Sequence, residues 1–278
     1  RQEELDDELS TDFSYSVPGL GGFRVNVSIA RVSFFRVIRA IPLEMPSIEE
    51  LKLPQVLKDI SKHQNGIILV TGATGSGKST TVASMLDYIN QNFTKNIISF
   101  EEPIEYLHRD KKCILNQKEI PDDVKDYKTA LKYVLRQDPD IIFLGELRDQ
   151  GTIEAAIKAS ETGHLVISTL HTINASKSIS RILDFFPPEK SKSLRFQLAE
   201  NIRAIVSQRL LKTLEGGKRV VAEVLINTGT MQELISTEEG MRRIPEIVKK
   251  SEQLGMQSFD SETLKLYRAG IIDFDTAY

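Results

Sequence analysis

The chain has 278 residues, 36 Lys+Arg against 39 Asp+Glu, a formal net charge of −3 and a hydrophobic fraction of 40%. That is room for one large unit or two smaller ones, and the balance excludes a disordered, collagenous or simple coiled-coil chain and a global polyanion binder. A single cysteine, Cys113, excludes an intrachain disulfide framework and a four-cysteine zinc module, and fits a reducing compartment.

No apolar run reaches the roughly 20 residues that span a bilayer. The chain opens on Arg rather than Met, so it reads as a trimmed fragment, and a preceding segment stays open. Residues 1–12 are acid-rich and read as a loose or linking stretch. Phe13, Tyr15 and Val17 then alternate with polar residues, as in a half-buried strand. Pro18-Gly19 and Gly21-Gly22 supply turn chemistry, Phe23, Val25, Val27 and Ile29 alternate again, and residues 34–41 read as a third strand. The expectation is a small antiparallel sheet, too short to hold its own core. Pro42 and Pro46 punctuate a linker, and Ser47 with Glu50 has capping-box spacing, which predicts a helix start.

A different pattern begins at Gly66. Apolar runs at 67–70, 97–100, 141–144 and 165–168 alternate with helical stretches at 78–91, 126–136 and 152–160. Unbroken apolar strands alternating with helices predict an α/β fold whose parallel sheet is covered on both faces. The last third reads as largely helical, broken by a strand over 220–226. The division expected is a small β unit over 1–45 and a larger unit over 46–278.

Gly72, Ala73, Thr74, Gly75, Ser76, Gly77, Lys78 and Ser79 match G-x-x-x-x-G-K-[ST] between an apolar strand and a helix. Glycines let backbone N–H groups turn around an anion, and the helix dipole points its positive end at it. Lys78 adds a full charge near the β- and γ-phosphates of ATP, Ser79 a hydroxyl ligand for Mg²⁺, and Thr80 lies beside the same phosphates.

Three further strand ends carry chemistry. The run 140–146 ends in Glu146, which is placed to serve the metal and water side of a phosphate site, whereas Asp140 sits at the strand's start. Arg148 and Asp149 follow and can order that edge. Glu101, Glu102 and Glu105 cluster beyond the strand at 97–100; one can orient or deprotonate a water, and the residues alone leave open which. His164 and His171 bracket the strand between them. His171 belongs at the C-terminal end near the phosphates, and His164 suits a domain or subunit contact. His63 and His108 have no comparable context. Arg24, Arg31, Arg36 and Arg39 offer either a mobile cation for a γ-phosphate or a solvated basic face.

Together these motifs resemble the secretion ATPase superfamily, in particular the type IV pilus retraction ATPases of the PilT family, from about residue 13 to 270. The stretch 72–79 resembles that family's Walker A loop, 100–105 its Asp box, 138–149 its Walker B segment and 162–172 its His box. The resemblance implies a RecA-like core behind a truncated small β domain. It places the catalytic glutamate at Glu105, the Walker B glutamate at Glu146, histidines of the nucleotide site at His164 and His171, and nucleotide-facing arginines at Arg24 and Arg39. It also implies a cytoplasmic homohexamer that hydrolyses ATP with Mg²⁺ and turns an inner-membrane platform protein at the cytoplasmic face, with no nucleic acid involved. Two departures stand out: Glu102 where Asp is usual, and Thr230-Met-Gln-Glu-Leu-Ile235 in place of an Ala-Ile-Arg-Asn-Leu-type motif. The alternatives are a pilus-assembly or type II secretion ATPase, which commonly carries a four-cysteine module, a RecA-like nucleic-acid motor, a small-molecule kinase and a non-catalytic scaffold.

Overall fold

Three strands open the computed structural model, which describes residues 5, 7–17, 21–31, 33–42 and 44–278. β1 (Ser10–Val17), β2 (Gly21–Ala30) and β3 (Ser33–Ile41) form an antiparallel sheet in that order. The expected Pro18-Gly19 turn and residues 1–4 and 6 of the acid-rich opening lie outside the described residues. Val25 and Ile41 are buried, while Phe34, Phe35, Val37 and Ile38 are exposed. Arg24 and Arg39 are direct cross-strand partners, so both project from the same face.

Ser47 and Glu50 do form a reciprocal capping box. Ser47 N–H donates to Glu50 Oε2 at 2.7 Å, and Glu50 N–H donates to Ser47 Oγ at 3.2 Å. The helix expected after them does not propagate. Lys52 adopts a left-handed φ of 52°, and Pro54 disfavours a helical conformation for the residue before it. The first helix of this region is α1 (Val56–Ile60).

The remainder builds a seven-stranded sheet. In chain order come β4 (Gly66–Gly72), α2 (Lys78–Asn92), β5 (Asn96–Glu101), β6 (Ile114–Glu119), α3 (Tyr127–Val134), β7 (Ile141–Leu144), α4 (Gln150–Glu161) and β8 (Leu165–Leu170). Then follow α5 (Ala175–Asp184), α6 (Ser191–Asn201), β9 (Ile202–Lys212), β10 (Lys218–Ile226), α7 (Gly229–Ser236), α8 (Glu238–Lys250), α9 (Phe259–Arg268) and α10 (Phe274–Ala277). The strand order is β10-β9-β4-β8-β7-β5-β6, parallel throughout except for the β9–β10 pair.

β4, β7 and β8 are buried along their whole lengths. Their pleat divides the apolar side chains between two cores. Ile67 and Leu69 enter one and Ile68 and Val70 the other, one on each face of the sheet. Two strands depart from the sequence expectation. β6 closes one edge with the polar run Ile-Leu-Asn-Gln-Lys-Glu, and β9 occupies a stretch of the supposedly helical last third. The order also sets the site. The chain leaving β4 returns at β5, past the places of β8 and β7, so the C-terminal ends of β4, β8, β7 and β5 stand side by side at intervals of about 4.8 Å. Open α/β sheets bind ligands at such a C-terminal edge.

Candidate active site

The phosphate loop bends off the end of β4. Gly77 forms the N-cap of α2 with φ 90°, a left-handed conformation that favours glycine, and no side chain caps the helix. The first N–H groups of α2, on Lys78, Ser79 and Thr80, therefore have no intrahelical acceptor. Among the described residues the buried Ser76 Oγ likewise has no partner. Free donors at a helix N-terminus fit an anion. Lys78 Nζ folds back to donate to the carbonyl oxygens of Gly72 at 3.0 Å and Ala73 at 3.2 Å. Burial lowers the Lys78 pKa, and the charges of Glu146 and Glu105 oppose that shift.

A cleft of about 630 Å³ opens over the loop. Thr74, Gly75, Gly77, Lys78, Ser79 and Thr80 form its floor, and Glu105, Glu146, His171, Arg24 and Arg39 line the rest. Gly72, Ala73 and Ser76 do not line this cleft; Gly72 and Ser76 are buried and Ala73 is exposed.

Glu146 follows β7. One of its carboxylate oxygens is paired with Arg148 Nε, and the other lies 3.2 Å from His171 Nε2. Arg148 also donates from Nη1 to Glu102 Oε2 at 2.8 Å, so it bridges two carboxylates of the cleft. Asp149 caps α4, accepting from Thr152 N–H at 2.9 Å. The residue before Glu146 must be small, because a Cβ on Gly145 would meet the Tyr127 hydroxyl at 2.7 Å. Burial pushes the Tyr127 phenol pKa upward.

The structure separates the three acids that the sequence left equivalent. Glu101 is buried at the end of β5, where its carboxylate accepts from Ser99 Oγ at 2.8 Å and Gln117 Nε2 at 3.1 Å. Burial pushes its pKa up to about 7; these bonds and the Glu105 N–H oppose the shift, and the Glu105 charge adds to it. Glu102 is committed to Arg148. Glu105 is exposed to the cleft, and among the described residues its carboxylate accepts no hydrogen bond.

The two histidines part company. His171 stands at the C-terminal end of β8 beside Glu146. His164 precedes β8 at the other edge, its Nδ1 lying 3.0 Å from Ala159 O and 3.2 Å from Thr162 Oγ1. A strand of 6 residues spans roughly 20 Å, so His164 is not brought to the cleft and its assignment to nucleotide binding is corrected. Asp140 also lies at that far edge, where it accepts from Asn96 N–H at 2.8 Å.

Arg24 and Arg39 reach the cleft from the small sheet. Arg36 instead lies 6.0 Å above the Phe34 ring, and Arg31 occupies the β2–β3 turn with φ 49°. Ser14 Oγ ties the small sheet to the end of β6, donating to the Glu119 carboxylate at 2.9 and 2.7 Å.

Several groups of this site carried no sequence signal. The Tyr106 hydroxyl lies 2.7 Å from Thr80 Oγ1. A second cleft of about 730 Å³ adjoins the loop on its other side, lined by Gly77, Thr80, Thr81, Leu210 and Arg219 among others. There, among the described residues, the buried Nε and Nη1 of Arg219 have no partner, and burial lowers its pKa. No motif marks Leu210 or Arg219, because they reach the loop only through the β9–β10 ribbon.

Known proteins match this geometry. The family described as type II/IV secretion system protein matches residues 35–216. The type IV pilus retractation ATPase PilT of Pseudomonas aeruginosa is 41% identical over 277 residues, which cover 100% of this chain and 80% of that protein. A twitching motility protein of Neisseria gonorrhoeae is 42% identical over 265 residues, covering 95% of this chain and 71% of that one. The crystal structure of the pilus retraction motor PilT with bound ADP superposes with a TM-score of 0.91 at 41% identity, covering 100% of this chain and 79% of that chain. With 41% identity across the whole of this chain and a shared fold, the chain belongs to the PilT family of secretion ATPases.

Proposed function

We propose that the chain hydrolyses ATP in the cleft above the phosphate loop and couples the reaction to pilus retraction as a homohexameric ring. The observation that carries this reading is the meeting of the loop with Glu105, Glu146, His171, Arg24 and Arg39 around one cleft. The bound ADP of the retraction motor structure and the 41% identity to PilT support it.

In this reading the β- and γ-phosphates sit on the free N–H groups of α2 and draw Lys78 Nζ away from its two carbonyls. The nucleoside extends toward the second cleft, past Thr80 and Thr81. Ser79, with Glu146, would hold Mg²⁺, which when bound would supply positive charge beside the phosphate oxygens. Glu105, an unpaired carboxylate facing the cleft, takes the proton of the attacking water. Glu146 orients that water, with Arg148 and His171 fixing its two oxygens. Arg24 and Arg39 meet the γ-phosphate from the small sheet, so the 1–45 unit closes on the 46–278 unit with ATP and relaxes after hydrolysis. A ligand moves such an equilibrium only through contacts that differ between the two states, and the two guanidinium groups supply that difference. The ring acts at the cytoplasmic face of the inner membrane on a platform protein. Among the described residues no helix is long and apolar enough to cross a membrane.

One observation keeps a pilus-assembly role as the second reading. α7 presents exposed Gln232 and Glu233, with Met231, Leu234 and Ile235 buried, in the stretch that departs from the Ala-Ile-Arg-Asn-Leu-type motif. The lack of a four-cysteine module weighs the other way.

Phosphate release by Glu105→Gln tests the chemistry. Its turnover falls by about 10²- to 10⁴-fold, the usual worth of a general base, while nucleotide binding persists. Wild-type turnover in the folded variant removes Glu105 from the reaction.

A further inference from the structure

The segment that carries Glu105 contains no helix or strand between β5 and β6. Its backbone therefore has no ladder to hold it, yet a proton acceptor must be placed finely, since a misplacement of about 1 Å can cost 10²-fold in rate. Side chains from the sheet do the holding. Ser99 and Gln117 are register partners on β5 and β6 and point to the same face. Gln117 uses its whole amide. Nε2 donates to Tyr106 O at 2.8 Å and to Glu101 Oε1 at 3.1 Å, while Oε1 accepts from His108 N–H at 2.8 Å. Glu101 is itself held by Ser99 Oγ. The backbone of residues 106 and 108, directly after Glu105, is thus pinned at two points. A third tie runs to the phosphate-loop helix, through the Tyr106 hydroxyl and Thr80 Oγ1.

We propose that Gln117 is a positioning residue for hydrolysis: with Glu101 it fixes the loop that aims Glu105 at the attacking water. This rests on the reading of Glu105 given above. Gln117 lines neither the cleft nor the phosphate loop, so it acts through the loop and touches no substrate. The Tyr106–Thr80 contact makes the loop's position sensitive to what the phosphate helix holds.

The test is a double-mutant cycle on the assembled protein, read by single-turnover phosphate release and by binding of a non-hydrolysable ATP analogue. Gln117→Met keeps the length of the side chain and removes both amide atoms. It lowers the hydrolysis rate about 10- to 100-fold and leaves analogue affinity within about 2-fold. In a Glu105→Gln background the same substitution costs no more than about 2-fold, because the group it positions is already disabled. Equal losses in both backgrounds overturn the proposal and leave Glu105's role standing. Wild-type turnover by Glu105→Gln alone overturns that role, and the proposal with it. Circular dichroism checks the fold; if Gln117→Met fails to fold, Gln117→Glu replaces it. That variant keeps the volume and an acceptor for the His108 N–H, loses the donor, and is held to the same two outcomes.

Discussion

Glu101 illustrates how far one residue's chemistry depends on its neighbours. Three glutamates stand within five positions, and nothing in their order separates them. In the fold one is buried, one is ion-paired and one is free, because β5 ends inside the sheet edge and the chain then turns outward. Which acid does what was not legible, since the partners Ser99, Gln117 and Arg148 arrive from other strands. The buried acid has a measurable consequence. The folded chain keeps the Glu101 proton up to about pH 7, whereas an ordinary carboxyl releases it near 4.5. Between these values the unfolded state binds fewer protons than the folded one, so stability falls as pH rises through that window. A shift of that size corresponds to roughly 3 kcal/mol. Glu101→Gln removes the titration. Thermal unfolding of this variant matches the parent near pH 4.5 and exceeds it at pH 8; matching curves at both pH values contradict the burial argument.

At the scale of elements, legibility followed burial on both faces. β4, β5, β7 and β8 announce themselves as apolar runs because both sides of the sheet are covered there. β6 does not, being an edge strand whose outward residues Ile114 and Asn116 are exposed. β9 does not either, because its residues beyond Gln208 pair with β10 alone and are more exposed, and its apolar start reads equally well as helix. The box formed by Ser47 and Glu50 shows the converse, a correct local signal whose helix is stopped by Lys52 and Pro54. Contacts between elements are where function is most exposed to small changes. α3 presses Tyr127 onto the end of β7 at Gly145, one residue before Glu146. Gly145→Ala therefore displaces that strand end, and it lowers ATP turnover about 10-fold or more. Tyr127→Phe, which removes the hydroxyl in the way, restores part of the loss; turnover unchanged by Gly145→Ala contradicts this account.

Across the whole molecule, the sheet order explains why residues scattered from Arg24 to His171 work together. The C-terminal ends of four parallel strands form one edge, and the small antiparallel sheet brings two arginines over it. The α/β class and the phosphate loop were legible because the run 66–79 combines an apolar strand, glycines and a lysine in one continuous stretch. The separation of His164 from His171 followed from strand geometry, while the resemblance alone placed both at the nucleotide, and there the geometry prevails. The second cleft was invisible because Leu210 and Arg219 reach the loop only through the β9–β10 ribbon. Every step of the proposed cycle needs a triphosphate held by the helix start at Lys78. Isothermal titration of the assembled protein with a non-hydrolysable ATP analogue and Mg²⁺ measures this directly. The account predicts saturable binding at the phosphate loop by the parent chain and its loss in a folded Lys78→Ala variant. Absence of binding by the assembled parent, or undiminished binding by the variant, contradicts it.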